Sequence, residues 1–229
     1  MEGQRVKILA IVGSFRKGGN TDLITDRILE GARSQGAHTE KVFIDDLKIA
    51  SCQGCMECRK EGVCHQQDDV SALVKKIEAA DGVIFGSPIY GNYITGQAKM
   101  LLDRLMGVIN KTVFVPGTGP TKVTRLETKP RNVVILMTIG ADRPECADDP
   151  LKLLRRMLGS FTNGGTVEEF IAAGLIDQGQ VAMDVPALTD IARRLHRTPN
   201  PEEEALAMKS RNEEILGKAF QTGVKLTKF

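Results

Sequence analysis

Four of the chain's five cysteines fall within residues 51–64, SCQGCMECRKEGVC, at the spacing Cys52-x2-Cys55-x2-Cys58-x5-Cys64. In a reducing compartment, thiols gathered this closely point to metal or redox chemistry rather than to structural disulfides. Three cysteines at this spacing cannot all face one side of a strand, whose side chains alternate. A tight loop can instead set three thiolates at three corners of a cubane, with a fourth ligand arriving after a short return. Ferredoxin runs use the same C-x2-C-x2-C spacing to hold a [4Fe–4S] cluster, and Gly54 and Gly62 give the backbone freedom to curl around such a core. Two other readings stay open. One is a zinc site joined by His65, although zinc ligand pairs usually stand farther apart in sequence. The other is four free or regulatory thiols. Cys146 reads as a small buried side chain, and His38, His65 and His196 are scattered, with no nucleophile–base pair, so no catalytic side chain is singled out.

A second candidate is the turn GSFRKGGNT, residues 13–21, which leaves an apolar strand and enters a helix at Asn20 or Thr21. Glycines such as Gly18 permit close backbone approach, free N–H groups and the helix dipole favour an anion, and Ser14, Arg16, Asn20 and Thr21 add donors and charge. It matches neither the GxGxxG dinucleotide pattern nor the lysine-bearing P-loop. A terminal phosphate such as that of FMN suits it; alone, it also reads as a capped helix start behind a turn. The third is SPIYGNYITG, residues 87–96, which holds both of the chain's tyrosines, while tryptophan is absent. A flat aromatic cofactor wants an apolar wall and backbone donors to its ring nitrogens, and Ser87, Pro88, Ile89, Tyr90, Gly91 and Asn92 are placed in that role. Thr138, Ile139 and Gly140, ending a further strand, would line the far side.

The elements that must position these loops alternate. VKILAIVG reads as a strand covered on both faces, followed by a helix with Leu23, Ile24 and Ile28 on one side and a stop at Gly36. HTEKVFI is a second strand. Val70, Leu73, Val74 and Ile77 mark an amphipathic helix with an aspartate cap. GVIFG is a third strand, GQAKMLLDRLM a helix, NVVILMTIG a fourth strand, and Thr166–Ala172 a fifth. Residues 107–131 read as an excursion over the surface, with a hairpin as one form open to it, and the tail from about 175 to 229 is mostly helical, with Asn200 as a cap. The pattern predicts an α/β, flavodoxin-like three-layer α/β/α fold with a five-stranded parallel sheet of order 2-1-3-4-5, in one domain spanning 1–229. In that order ligands sit between the first and third strands.

A hydrophobic fraction of 41% with 26% charged residues is that of a globular protein. A net charge of +2 without a basic stripe argues against a nucleic-acid partner. No apolar segment is long enough to span a bilayer and no signal sequence is evident, so a cytoplasmic protein is expected.

GSFRKGGNT and DGVIFGSPIYGNYITGQAKMLLDR together resemble the phosphate and ring loops of the NAD(P)H-dependent FMN reductase family, over about Val6 to Ala172. The resemblance implies non-covalent FMN, with Ser14, Arg16, Asn20 and Thr21 at its phosphate. It places Pro88, Ile89, Tyr90, Gly91 and Asn92 at the ring, with Thr138 and Gly140 nearby. The cysteine segment resembles the motif of the iron–sulfur flavoprotein branch. That likeness implies one FMN and one [4Fe–4S] cluster per chain, in a homodimer or homotetramer. The expected activity is electron transfer between a ferredoxin-like carrier and oxygen, peroxide or a quinone. The alternatives are a cluster-free NAD(P)H-dependent reductase of FMN, quinones or azo compounds, and a thiol-based redox-sensing flavin-binding protein.

Overall fold

The computed structural model describes residues 5–124, 129–196 and 199–228. Its elements are β1 (Lys7–Val12), α1 (Asn20–Ser34), β2 (His38–Phe43), α2 (Glu57–Glu61), α3 (Val70–Ala79), β3 (Gly82–Tyr90), β4 (Tyr93–Ile94) and α4 (Gly96–Ile109). They continue with β5 (Asn110–Val115), β6 (Gly119–Thr124), β7 (Asn132–Thr138), α5 (Asp148–Leu158), β8 (Val167–Ala172), α6 (Val185–Leu195) and α7 (Pro201–Leu226). Five strands pair in parallel in the order β2-β1-β3-β7-β8. Counting parallel strands alone, this is the predicted 2-1-3-4-5 order of a flavodoxin-like α/β/α fold.

The sheet is apolar on both faces because helices cover both. Successive residues of β1 part to opposite sides. Ile8 and Ala10 meet Ile24 and Ile28 of α1 and Ala219 and Leu226 of α7. Leu9 and Ile11 belong to the other layer, with Leu73 and Ile77 of α3, Leu101 and Leu105 of α4, and Leu151 and Leu154 of α5. Helices α1 and α7 touch backbone to backbone at Gly31 and Gly223, where any Cβ would strike the Phe220 and Ile28 carbonyls.

Three local expectations are corrected. SPIYGNYIT is not a loop: β3 runs on to Tyr90 and returns through β4, with Gly91 and Asn92 at φ of 56° and 62° as a two-residue hairpin turn. The excursion starts later than expected, since α4 continues to Ile109, and β5 and β6 then form an antiparallel hairpin; its residues 125–128 lie outside the described ones. Asp69 makes no side-chain cap on α3. It accepts from the Lys48 N–H (2.7 Å), while Asp68 accepts from Val70 (3.2 Å). The tail is helical as expected, with the Asn200 side chain accepting from Glu203 N–H (3.3 Å) at the start of α7. Among the described residues no helix is long and apolar enough to cross a membrane.

Candidate functional site

The carboxyl ends of β1, β3 and β7 open into one crevice of about 250 Å³. From the first turn it is lined by Ser14, Arg16, Asn20 and Thr21; from the β3 extension by Pro88, Ile89 and Tyr90; and from the end of β7 by Thr138 and Gly140. Three separately predicted segments therefore meet. Gly18, Ser87, Gly91 and Asn92 do not line it. Gly18, at φ 73°, donates its N–H to the Asp22 carboxylate (2.7 Å). Ser87 is fully buried, donates to the Pro88 carbonyl (2.9 Å) and accepts from Thr95 N–H (3.2 Å), which ties the hairpin to α4. Gly91 and Asn92 are the hairpin tip.

A fourth wall was not foreseen: Leu175, Ile176 and Gln178, beyond β8. Asn20 holds this wall in place. Its amide donates to the carbonyls of Leu175 (3.2 Å) and Asp177 (2.7 Å), and its oxygen accepts from Val181 N–H (3.0 Å). Its side chain is thus committed to the fold, leaving its backbone N–H for a ligand. Gln180 and Asn212, both fully buried, add bonds to the Gly174 and Gln180 carbonyls (2.8 Å each).

The first turn suits an anion. The first backbone hydrogen bond of α1 runs from Leu23 N–H to the Gly19 carbonyl, so the N–H groups of Asn20, Thr21 and Asp22 have no partner within the helix. Asp22 would oppose an anion there, but Lys41 neutralises it at 2.5 Å and also holds Asp26 at 2.6 Å. Burial opposes the Lys41 charge, yet the hydrogen bonds and charges of Asp22 and Asp26 outweigh it and raise its pKa above 10.5. The Arg16 side chain is exposed and has no hydrogen-bond or ionic partner among the described residues. Tyr90 and Ile176, which line the same crevice, present exposed apolar surface.

A second cavity, of about 240 Å³, is lined by Cys52, Cys55, Cys58 and Cys64 together with Arg104 and Gly107 of α4. Left-handed backbone at Gly54, Met56 and Gly62 folds the loop around it. Burial pushes the Cys58 thiol up, and the charges of Cys64, Cys52 and Cys55 push the same way. A Cβ on Gly107 would land on the Cys58 sulfur, so this glycine is what lets the loop lie against α4. One zinc ion, with Zn–S bonds of about 2.3 Å, would draw its ligand atoms to within about 4 Å of one another. No three of the four cysteine sulfurs come within 4.8 Å; among the described residues the one such set is Cys55, Glu57 and His65, all exposed. His65 Nδ1 lies 3.3 Å from Cys55 Sγ.

A profile for NADPH-dependent FMN reductase matches residues 6–141. The chain belongs to that family. As an FMN reductase family member its sequence likeness is to the iron–sulfur flavoprotein branch. It is 40% identical over 99 residues to an iron–sulfur flavoprotein of Methanocaldococcus jannaschii, covering 43% of this chain and 51% of that one. Over 100 residues it is 42% identical to an iron–sulfur flavoprotein of Methanosarcina thermophila, covering 43% and 52%. The chain thus spans about half the length of the curated relatives it matches. In fold it resembles an NAD(P)H:quinone oxidoreductase from Methanothermobacter marburgensis, with TM-score 0.62, 15% identity, and coverage of 97% and 100%.

The crevice of this FMN reductase family chain fits the family cofactor. Its lining combines N–H groups unpaired within α1 and the unpartnered Arg16 guanidinium, which suit an anion, with the apolar surface of Tyr90 and Ile176, which suits a flat ring. The four cysteines line one pocket, and their sulfurs do not converge as the ligands of a single ion would.

Proposed function

We propose that the chain is an FMN-dependent electron-transfer oxidoreductase whose Cys52, Cys55, Cys58 and Cys64 hold a [4Fe–4S] cluster. It passes electrons between a ferredoxin-type carrier, or NAD(P)H, and a small acceptor such as oxygen, peroxide or a quinone. The observation carrying this reading is the coexistence of two separate cavities, one walled by the three predicted loops and one by the four cysteines.

When bound, FMN takes up two electrons together and releases them singly, and a cluster carries one at a time. The chain's residues position and screen. Arg16 and the N–H groups opening α1 would bind the phosphate, with Ser14 and Thr21 beside them. Pro88, Ile89 and Tyr90 would border the ring, with Thr138, Gly140 and Ile176 lining the same crevice. In the second cavity Cys52, Cys55, Cys58 and Cys64 would bind iron as thiolates, giving up their protons.

The whole of 1–229 acts as one FMN-binding unit in this reading, in a reducing cytoplasm suited to five free thiols, as a homodimer or homotetramer. Iron and flavin are measured per chain after anaerobic purification. One FMN with about four irons supports the reading. Flavin without iron, with rapid NADPH oxidation, overturns the cluster in favour of a simple reductase. Flavin without iron or any donor activity, with a fold that shifts on thiol oxidation, leaves a redox sensor.

A further inference from the structure

The cysteine loop leaves the body of the protein at Ala50 and rejoins it at Asp68, and a residue from neither segment closes it. Arg104 of α4 is 2% exposed. One of its terminal nitrogens donates to the Ala50 carbonyl (2.7 Å) and to the Asp68 carboxylate (2.6 Å), and the other donates to the same carboxylate (2.9 Å). Asp68 also accepts from the N–H groups of Ala50 (3.1 Å) and Val70 (3.2 Å). Both backbone groups of Ala50 are therefore fixed by one ion pair. Burial opposes both charges, but the mutual hydrogen bonds outweigh it, holding the Asp68 carboxyl below its usual range and the Arg104 guanidinium above its own.

Of the three guanidinium nitrogens, these bonds use two. Arg104 Nε is buried and has no hydrogen-bond partner, in a residue that lines the pocket with all four cysteines. Cys64, the most buried of the four, lies within electrostatic and hydrogen-bonding reach of the guanidinium. A buried N–H left without an acceptor is costly, and a lysine would have served the ion pair without creating one.

We propose that Arg104 is the positioning residue of the cysteine site: it clasps the two ends of loop 51–67 and reserves its Nε–H for a sulfur of the bound cluster or of its ligands. The reserved N–H rests on the [4Fe–4S] reading above, whereas the clasp does not. Hydrogen bonds to cluster sulfur and a nearby cation both raise the reduction potential.

The test compares wild type with Arg104→Lys, which keeps a cation for Asp68 but lacks Nε–H and the fork. Arg104→Gln is made alongside, and bound FMN serves as the control for folding. Both variants are expected to retain FMN, lose iron to a chelator about tenfold faster, the scale of one charge-assisted hydrogen bond, and show a lower cluster midpoint potential. Iron-free Arg104→Gln, which has no cation for Asp68, is expected to be cut by trypsin at Arg59 and Lys60 faster than iron-free wild type. Arg104→Lys with wild-type iron retention and potential would overturn the reserved N–H, and unchanged tryptic cleavage would overturn the clasp. A wild type that binds no iron overturns the [4Fe–4S] reading and the reserved N–H with it, and the cleavage comparison alone then decides the clasp.

Discussion

Thr21 and Thr138, 117 residues apart in sequence, bring their Oγ1 atoms to 2.6 Å in a buried hydrogen bond at the head of the crevice. It joins the first turn of α1 to the end of β7, so two of the four walls share one bond. Thr138→Val leaves the Thr21 hydroxyl buried without that partner, at a cost of about 1–3 kcal/mol. The urea midpoint should fall and FMN should bind more weakly, with Thr138→Ser recovering both. A valine variant as stable as wild type would show that the bond contributes nothing.

Gly107→Ala separates the two cavities. Alanine is favoured over glycine inside a helix by about 1 kcal/mol, so α4 itself gains. The added methyl nevertheless meets the Cys58 sulfur. Iron content is expected to drop while flavin content and thermal midpoint hold. Full iron in the purified variant would mean that Cys58 can withdraw and is not held at that position.

Arg16→Gln tests the phosphate end. Losing a charge-assisted contact of about 1.5–3 kcal/mol should weaken FMN tenfold or more. Riboflavin, which lacks the phosphate, should bind equally to both proteins. Equal losses for the two flavins, read by fluorescence titration, would move Arg16 away from the phosphate.

The Asp68 carboxyl is held low by Arg104 and two backbone N–H groups against its burial. A carboxyl lowered in the folded state contributes stability that is complete above the unfolded value, about 3.9. That contribution is lost as pH falls through the folded value. The loop closure should therefore survive throughout the neutral and mildly acidic range and loosen only below ordinary aspartate titration. An NMR titration of Asp68 placing its midpoint at or above that of a free aspartate would contradict this, and Arg104→Lys should raise it.

Much of the crevice was legible because it depends on strand ends. A buried strand followed by a polar, glycine-bearing turn tells where backbone N–H groups emerge, and three such turns lie side by side once the parallel order is known. The fate of individual side chains was less visible. Asn20 looked free for a ligand, yet its amide is used by Leu175, Asp177 and Val181, partners some 155–161 residues away. The same distant contacts create the wall carrying Ile176, which no local pattern announces. The Gly91–Asn92 hairpin did carry a local signal that the loop reading passed over: a glycine–asparagine pair between two aromatic–aliphatic pairs is a two-residue turn signal. Arg104 could not have been singled out in a helix whose only evident feature was its apolar face.

The hairpin and the cysteine pocket hang on opposite ends of α4. At its start Thr95 donates its hydroxyl to the Gly13 carbonyl (2.7 Å) and its N–H to Ser87 (3.2 Å); three turns on, Gly107 backs onto Cys58. At 1.5 Å rise per residue the span from Gly96 to Gly107 is about 17 Å, so a rigid rod fixes the separation of the two cavities. Surface loops can lengthen without altering it, but one residue inserted into this helix would swing Arg104 and Gly107 through about 100°. The rod works as a gauge block: its length cannot drift while both ends stay in register.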